Sequence, residues 1–160
     1  MTRHRFHGDP AWFAVVAGFV AERFGRDVRY IADVAGGQGM LARLLTKKHG
    51  YECEVIDPRL WVLRGVRHEA KEFDAASATY YDLLIGLHCD EALRELATSA
   101  LVRPTVIVPC CNFWSEDKLG REELLLALES FYSSADVRHE RVTFAFSGPK
   151  NIGIVTSPPG

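Results

Sequence analysis

The stretch Tyr30–Asp57, YIADVAGGQGMLARLLTKKHGYECEVID, decides how the rest of the chain is read. Tyr30–Val34 is a short apolar and β-branched run that stops at Ala35-Gly36-Gly37-Gln38-Gly39, where missing Cβ atoms let the backbone turn sharply and approach a ligand closely. Met40, Leu41, Leu44 and Leu45 then recur at helical spacing. Lys47 and Lys48 complement the negative end of that helix, and Gly50 terminates it. Glu52–Ile56 follows as a second strand, closed by Asp57, 20 residues beyond Gly37. The spacing predicts a βαβ nucleotide-binding unit, in which turn amides and a helix start face the ligand and the acidic residue after strand two accepts from a ribose diol.

A dinucleotide-binding turn reads G-x-G-x-x-G, whereas the glycines here stand at 36, 37 and 39 with Asp33 just before them. D-V-A-G-G-Q-G, with its later acidic residue, resembles motifs I and II of the class I S-adenosylmethionine (SAM)-dependent methyltransferases. Ala35 stands where the first glycine of the family's G-x-G-x-G falls, and Gly37 and Gly39 match the second and third. The resemblance implies SAM as cofactor, held by Asp33, Ala35, Gly36, Gly37, Gly39 and Asp57. Read without the resemblance, the same turn also suits an α/β protein that binds nothing there.

The chain's 160 residues predict one domain over 1–160, large enough to bury a sizeable core. Hydrophobic residues at 48% and charged residues at 25% suit a globular fold rather than a disordered one. A net charge of −2 carries no global signature of binding to nucleic acid or anionic membrane. The start of the chain is basic at Arg3 and Arg5 but lacks the apolar core of a signal peptide, and no run of 18 apolar residues occurs, so a cytoplasmic location without a membrane partner is expected. Four cysteines, at 53, 89, 110 and 111, do not resemble a secreted disulfide framework and are expected as reduced thiols.

Taken in order, Asp9-Pro10 caps a helix over Ala11–Phe24 whose apolar side holds Trp12, Phe13, Val16, Phe19, Val20 and Phe24. Only 24 residues separate Asp57 from Asp82, too few for a helix, a strand and another helix. The expectation is a pruned segment: Pro58–Leu63 a brief helix or turn, Arg67–Phe73 a short edge strand or even a small helix, and Asp74–Thr79 a loop. Asp74 is either an acceptor for an adenine amino group, as the resemblance implies for acidic residues after strand three, or a solvated loop carboxylate. Tyr81–Leu87 reads as a buried strand, Asp90 as the cap of a helix over Glu91–Leu101, and Thr105–Val108 as another buried strand. Ser115 opens a helical stretch, strongest over Glu122–Tyr132. Arg141–Phe146 and Asn151–Thr156 form a hairpin around Ser-Gly-Pro-Lys. The fold class is therefore α/β, a Rossmann-like, mostly parallel sheet flanked by helices and ending in an antiparallel hairpin. Class I methyltransferases close in this way, with the last strand inserted between its predecessor and strand five.

Ligands of open parallel sheets bind beyond the carboxyl ends of the strands, where the glycine turn, Asp57, His88–Asp90 and Pro109–Trp114 all arrive. By the resemblance, Leu87, His88 and Cys89 face the reactive end of the cofactor. His88 is the candidate general base by its intrinsic pKa, or else a histidine bonded to backbone. Asn112, with Phe113 and Trp114, suits a planar acceptor, or else these residues anchor their loop on the last helix. L-H-C-D after strand four and P-C-C after strand five also resemble a methyltransferase subset with L-H-x-C-G and P-C-C motifs, some of whose relatives act on tRNA.

The expected activity is direct methyl transfer from SAM to an unidentified RNA, protein or small-molecule acceptor, with His88 and Asn112 near that acceptor. Two other classes use the same residues. One is a non-catalytic SAM-binding subunit working as a homodimer or with a partner. The other is a metal or thiol site of His88, Cys89, Cys110 and Cys111, weighed against cysteines that simply pack in the core.

Overall fold

The computed structural model describes residues 11–109, 114–117, 119–145 and 151–160. Helices α1 (Trp12–Phe24), α2 (Met40–His49), α3 (Leu93–Ser99) and α4 (Arg121–Ser134) surround strands β1 (Tyr30–Val34), β2 (Glu52–Ile56), β3 (Arg67–Glu69), β4 (Leu83–Leu87), β5 (Thr105–Val108), β6 (Arg138–Thr143) and β7 (Ile152–Ser157). The strands form one sheet in the order β3-β2-β1-β4-β5-β7-β6. The five from β3 to β5 are parallel, and β7 runs antiparallel to both β5 and β6. The last strand is therefore inserted between its predecessor and β5, and the fold is the expected Rossmann-like α/β class.

Alternation along the strands explains the layers. Ile31, Val55, Leu83, Ile85, Val106 and Val155 face a core shared with Trp12, Val16 and Val20 of α1 and Leu41 and Leu45 of α2. The intervening Ala32, Val34, Ile56, Leu84, Ile107 and Ile154 face a second core with Leu93 and Leu96 of α3 and Leu124, Leu125, Leu128 and Tyr132 of α4. Both faces of the central strands are dry, as their unbroken apolar runs require. Gly86 lets α3 close onto β4, since a Cβ there would overlap Cδ2 of Leu96. β3, charged and mostly exposed, takes the edge.

Several boundaries differ from the sequence reading. Residues 58–63 form no helix. A 3₁₀ helix, Ala75–Tyr80, replaces the expected loop, because Oδ1 of Asp74 accepts from the Ala76 amide at 2.9 Å and starts a helical turn. β4 starts at Leu83 because the preceding Asp82 turns its carboxylate back to accept from the amides of Arg29 and Tyr30, both at 2.9 Å. Asp90 does not cap α3. It sits in a 3₁₀ turn, Asp90–Ala92, with a φ of 46°, and Ala92 is the N-cap. α4 begins at Arg121, after extended Gly120, rather than near Ser115. β6 starts at Arg138 and ends at Thr143, so the hairpin pairs Thr143 with Ile152. Asp9 and Pro10 lie outside the described residues. Among the described residues, no helix is long and apolar enough to cross a membrane.

Candidate functional site

β1 and β2 end side by side, Val34 opposite Ile56, and the loops leaving them form one wall of the site. Ala35 donates its amide to the Ile56 carbonyl (2.8 Å) and Gly39 donates to the Gly36 carbonyl (3.0 Å), closing the turn so that α2 starts at Met40. Gly37 and Gly39, with φ of 59° and 86°, hold conformations that side chains disfavour. A Cβ at Gly36 would overlap the Asp33 carboxylate, and one at Gly39 would lie 2.7 Å from Cγ1 of Val66. Asp33 is thus packed against the turn. It is 2% exposed, and among the described residues its Oδ2 has no hydrogen-bond partner. Burial pushes its carboxyl up to about 7; the backbone of Ala42 offsets part of that rise, and the charge of Asp57 adds to it.

Asp57 is 1% exposed, and protein donors surround its carboxylate. Oδ2 accepts from the Gly37 amide (2.9 Å) and from Nη2 of Arg59 (2.8 Å), while Oδ1 accepts from the amide (2.9 Å) and Nε (3.0 Å) of Arg59. Burial alone would push this carboxyl up, but the Arg59 side chain and the amides of Arg59 and Gly37 outweigh it and hold it below its ordinary value. The Asp57 backbone is tied to the edge strand as well: its amide donates to the Glu69 carbonyl (3.2 Å), and Nε2 of His68 lies 2.9 Å from its carbonyl oxygen.

The facing wall comes from the loop after β4. His88 donates its amide to the Val108 carbonyl (2.9 Å), and its ring meets Trp12 edge-on with centroids 3.8 Å apart, so α1 reaches the site through a buried indole. Burial pushes the Cys89 thiol up to about 12, which keeps it protonated and poorly nucleophilic at neutral pH. Between the walls lies a cavity of about 430 Å³, within the usual range for small-ligand sites. Ala35, Asp57, Arg59, Phe73, His88 and Asp90 line it, and Glu72, Glu91 and Glu95 add carboxylates. Its walls therefore carry an excess of negative charge.

Backbone strain gathers at the same place. Among the described residues four non-glycines have positive φ, and three of them, Ala35 (54°), His88 (53°) and Asp90 (46°), line this cavity. Such conformations cost on the order of 1–3 kcal/mol each and concentrate at ligand sites.

Of the residues singled out from the sequence, Ala35, Asp57 and His88 line the cavity. Asp33, Gly36, Gly37 and Gly39 build the turn beside it, and Leu87 packs against the core under α1 and α2. Asp74 stands apart from the lining, exposed and committed to the 3₁₀ turn that it caps. Asn112, Phe113, Cys110 and Cys111 lie outside the described residues. Trp114 packs on Phe131 of α4 (centroids 5.3 Å), with the Arg94 guanidinium over its ring, as an anchor would. Among the described residues, no three His, Cys, Asp or Glu side chains group as metal ligands. Sequence reasoning missed Arg59, Glu72, Phe73, Glu91 and Glu95. Arg59 was readable from Asp-Pro-Arg, which places a cation two residues past the acid; Glu91 and Glu95 were readable from their four-residue spacing at a helix start.

The sheet order, the inserted last strand and the cavity at the carboxyl ends of the strands define the Rossmann-like fold of class I methyltransferases. Solved structures share it. The chain aligns with the methyltransferase domain of bacterial-CtHen1-CN at a TM-score of 0.59 and 12% identity, over 91% of this chain and 96% of that one. It aligns with the ribosomal protein L11 methylase from Lactobacillus delbrueckii subsp. bulgaricus at 0.61 and 14%, over 96% and 84%. The plantazolicin methyltransferase BpumL, in complex with a triazolic desmethylPZN analog and SAH, aligns at 0.59 and 12%, over 93% and 86%. No protein-family model matches the chain, and no curated protein matches its sequence.

Proposed function

We propose that this chain is a SAM-dependent methyltransferase acting on an unidentified acceptor, with 1–160 as one cofactor-binding domain in the cytoplasm. The observation that carries the reading is the way the glycine turn spends its amides. Those of Ala35, Gly37 and Gly39 are committed to Ile56, Asp57 and Gly36. The turn therefore offers close backbone approach more than a cradle for phosphate oxygens, which favours an adenosyl ligand without a pyrophosphate over a dinucleotide. The fit is good on two further counts: the acid-rich cavity suits a cationic sulfonium, and BpumL shares the fold and binds SAH.

Bound SAM would supply a methyl carbon already activated for transfer, leaving alignment and proton removal to the protein. Asp57 would accept from the ribose hydroxyls, while Asp33, Ala35, Gly36, Gly37 and Gly39 shape the approach and Leu87 backs the reactive end. His88, on the cavity wall, would take a proton from the acceptor heteroatom, with Asn112 on the acceptor side. The test is incubation with SAM labelled in its methyl group against separate pools of RNA, protein and small metabolites. Label in one pool, lost with His88→Ala in a folded variant, supports the reading. Binding without transfer to any pool would instead make the chain a binding subunit that needs a partner.

A further inference from the structure

An ionised carboxylate offers about four acceptor positions, two on each oxygen. At Asp57 all four are filled by the protein: the amides of Gly37 and Arg59, and Nε and Nη2 of the Arg59 side chain. A vicinal diol needs two of them. The two amides are fixed by the backbone, so the only donors able to leave are those of the guanidinium, whose side chain is 47% exposed. We propose that Arg59 is a latch on this carboxylate, competing with the ligand's diol and released when a nucleoside enters. The proposal rests on the nucleoside-binding reading above.

The surroundings suit such an exchange. Arg59 reaches over the glycine turn, with Nη2 3.5 Å from where a Gly37 Cβ would stand, and it lines the same cavity as Asp90, Glu91 and Glu95. Asp90 already interacts electrostatically with Arg59. The displaced cation therefore finds carboxylates lining the same cavity rather than bulk water alone. With the latch in place, apparent affinity is the intrinsic affinity scaled by the fraction of molecules in which Asp57 is uncovered.

The test is calorimetric titration of wild type, Arg59→Met and Arg59→Lys with SAH, adenosine and 2′,3′-dideoxyadenosine. Removing the fork should tighten SAH and adenosine by about tenfold, the factor for a latch closed nine-tenths of the time, and leave the dideoxy nucleoside unchanged. Arg59→Lys keeps the charge but loses the planar fork, and should fall between. Equal or weaker binding of the diol ligands by a folded Arg59→Met protein would overturn the latch while leaving the nucleoside reading intact, as would equal tightening of the dideoxy ligand. No binding of any of the three by any of the proteins would overturn both.

Discussion

The Asp33 carboxylate occupies the space that a side chain on Gly36 would need. Gly36 is therefore constrained by packing rather than by its φ, since Gly37 and Gly39 have the positive angles and Gly36 does not. Gly36→Ala must push Asp33 or the turn aside. A loss of about 1–3 kcal/mol in urea denaturation is expected, together with weaker SAH binding. Unchanged stability would mean that Asp33 is not held where it stands here.

The same contact makes Asp33 a pH reporter. A carboxyl whose folded-state pKa, about 7, lies above its ordinary value of 3.8 favours folding only while protonated. Its contribution is close to neutral near pH 4, grows unfavourable between about pH 4 and 7, and levels off at a cost of about 4 kcal/mol above neutrality. Asp33→Asn should match wild type at pH 4 and exceed it at pH 8. A stability difference that does not vary with pH would contradict the assignment.

Asp57 shows the opposite sign. Its pKa is lowered, so it stabilises the fold above the unfolded carboxyl range and loses that contribution on acidification. Asp57→Ala, in a variant shown to remain folded, should weaken SAM binding by about 1–3 kcal/mol. Unchanged affinity would remove Asp57 from the site.

At the junction of the parallel and antiparallel parts, Thr105 and Thr156 lie directly opposite on β5 and β7, both fully buried. Their hydroxyls are 2.6 Å apart, and the Thr105 amide donates to Oγ1 of Thr156 at 3.1 Å. Thr156→Val leaves the Thr105 amide without its acceptor and the Thr105 hydroxyl without this partner, and should cost about 1–3 kcal/mol. Adding Thr105→Val should cost less than it does alone. Strict additivity in that double-mutant cycle would show that the hydroxyls do not couple.

The layers of the fold were legible because periodicity reports burial: the runs at Leu83–Leu87 and Thr105–Val108 admit only strands covered on both faces. The hairpin was legible from its turn residues, though its register was not, because Arg138–Arg141 is too charged and exposed to read as strand by pattern. Asp90 misled for a related reason. An acidic residue before a helix usually caps it, but here the chain leaves β4 through left-handed turns at His88 and Asp90, and no local signal marks those angles. Within the site, types of residue were readable and pairings were not. Asp57 stood out as an acceptor, yet its occupation by Arg59 depends on a side-chain geometry that spacing alone does not fix.

The most direct measurement is calorimetric titration of the protein with SAM and SAH, with NAD as control. Saturable one-to-one binding of SAM and SAH, and none of NAD, is the predicted result. Binding of NAD in their place, or of none of the three, would contradict the assignment of the cavity at the ends of β1, β2 and β4 to an adenosyl-sulfonium cofactor.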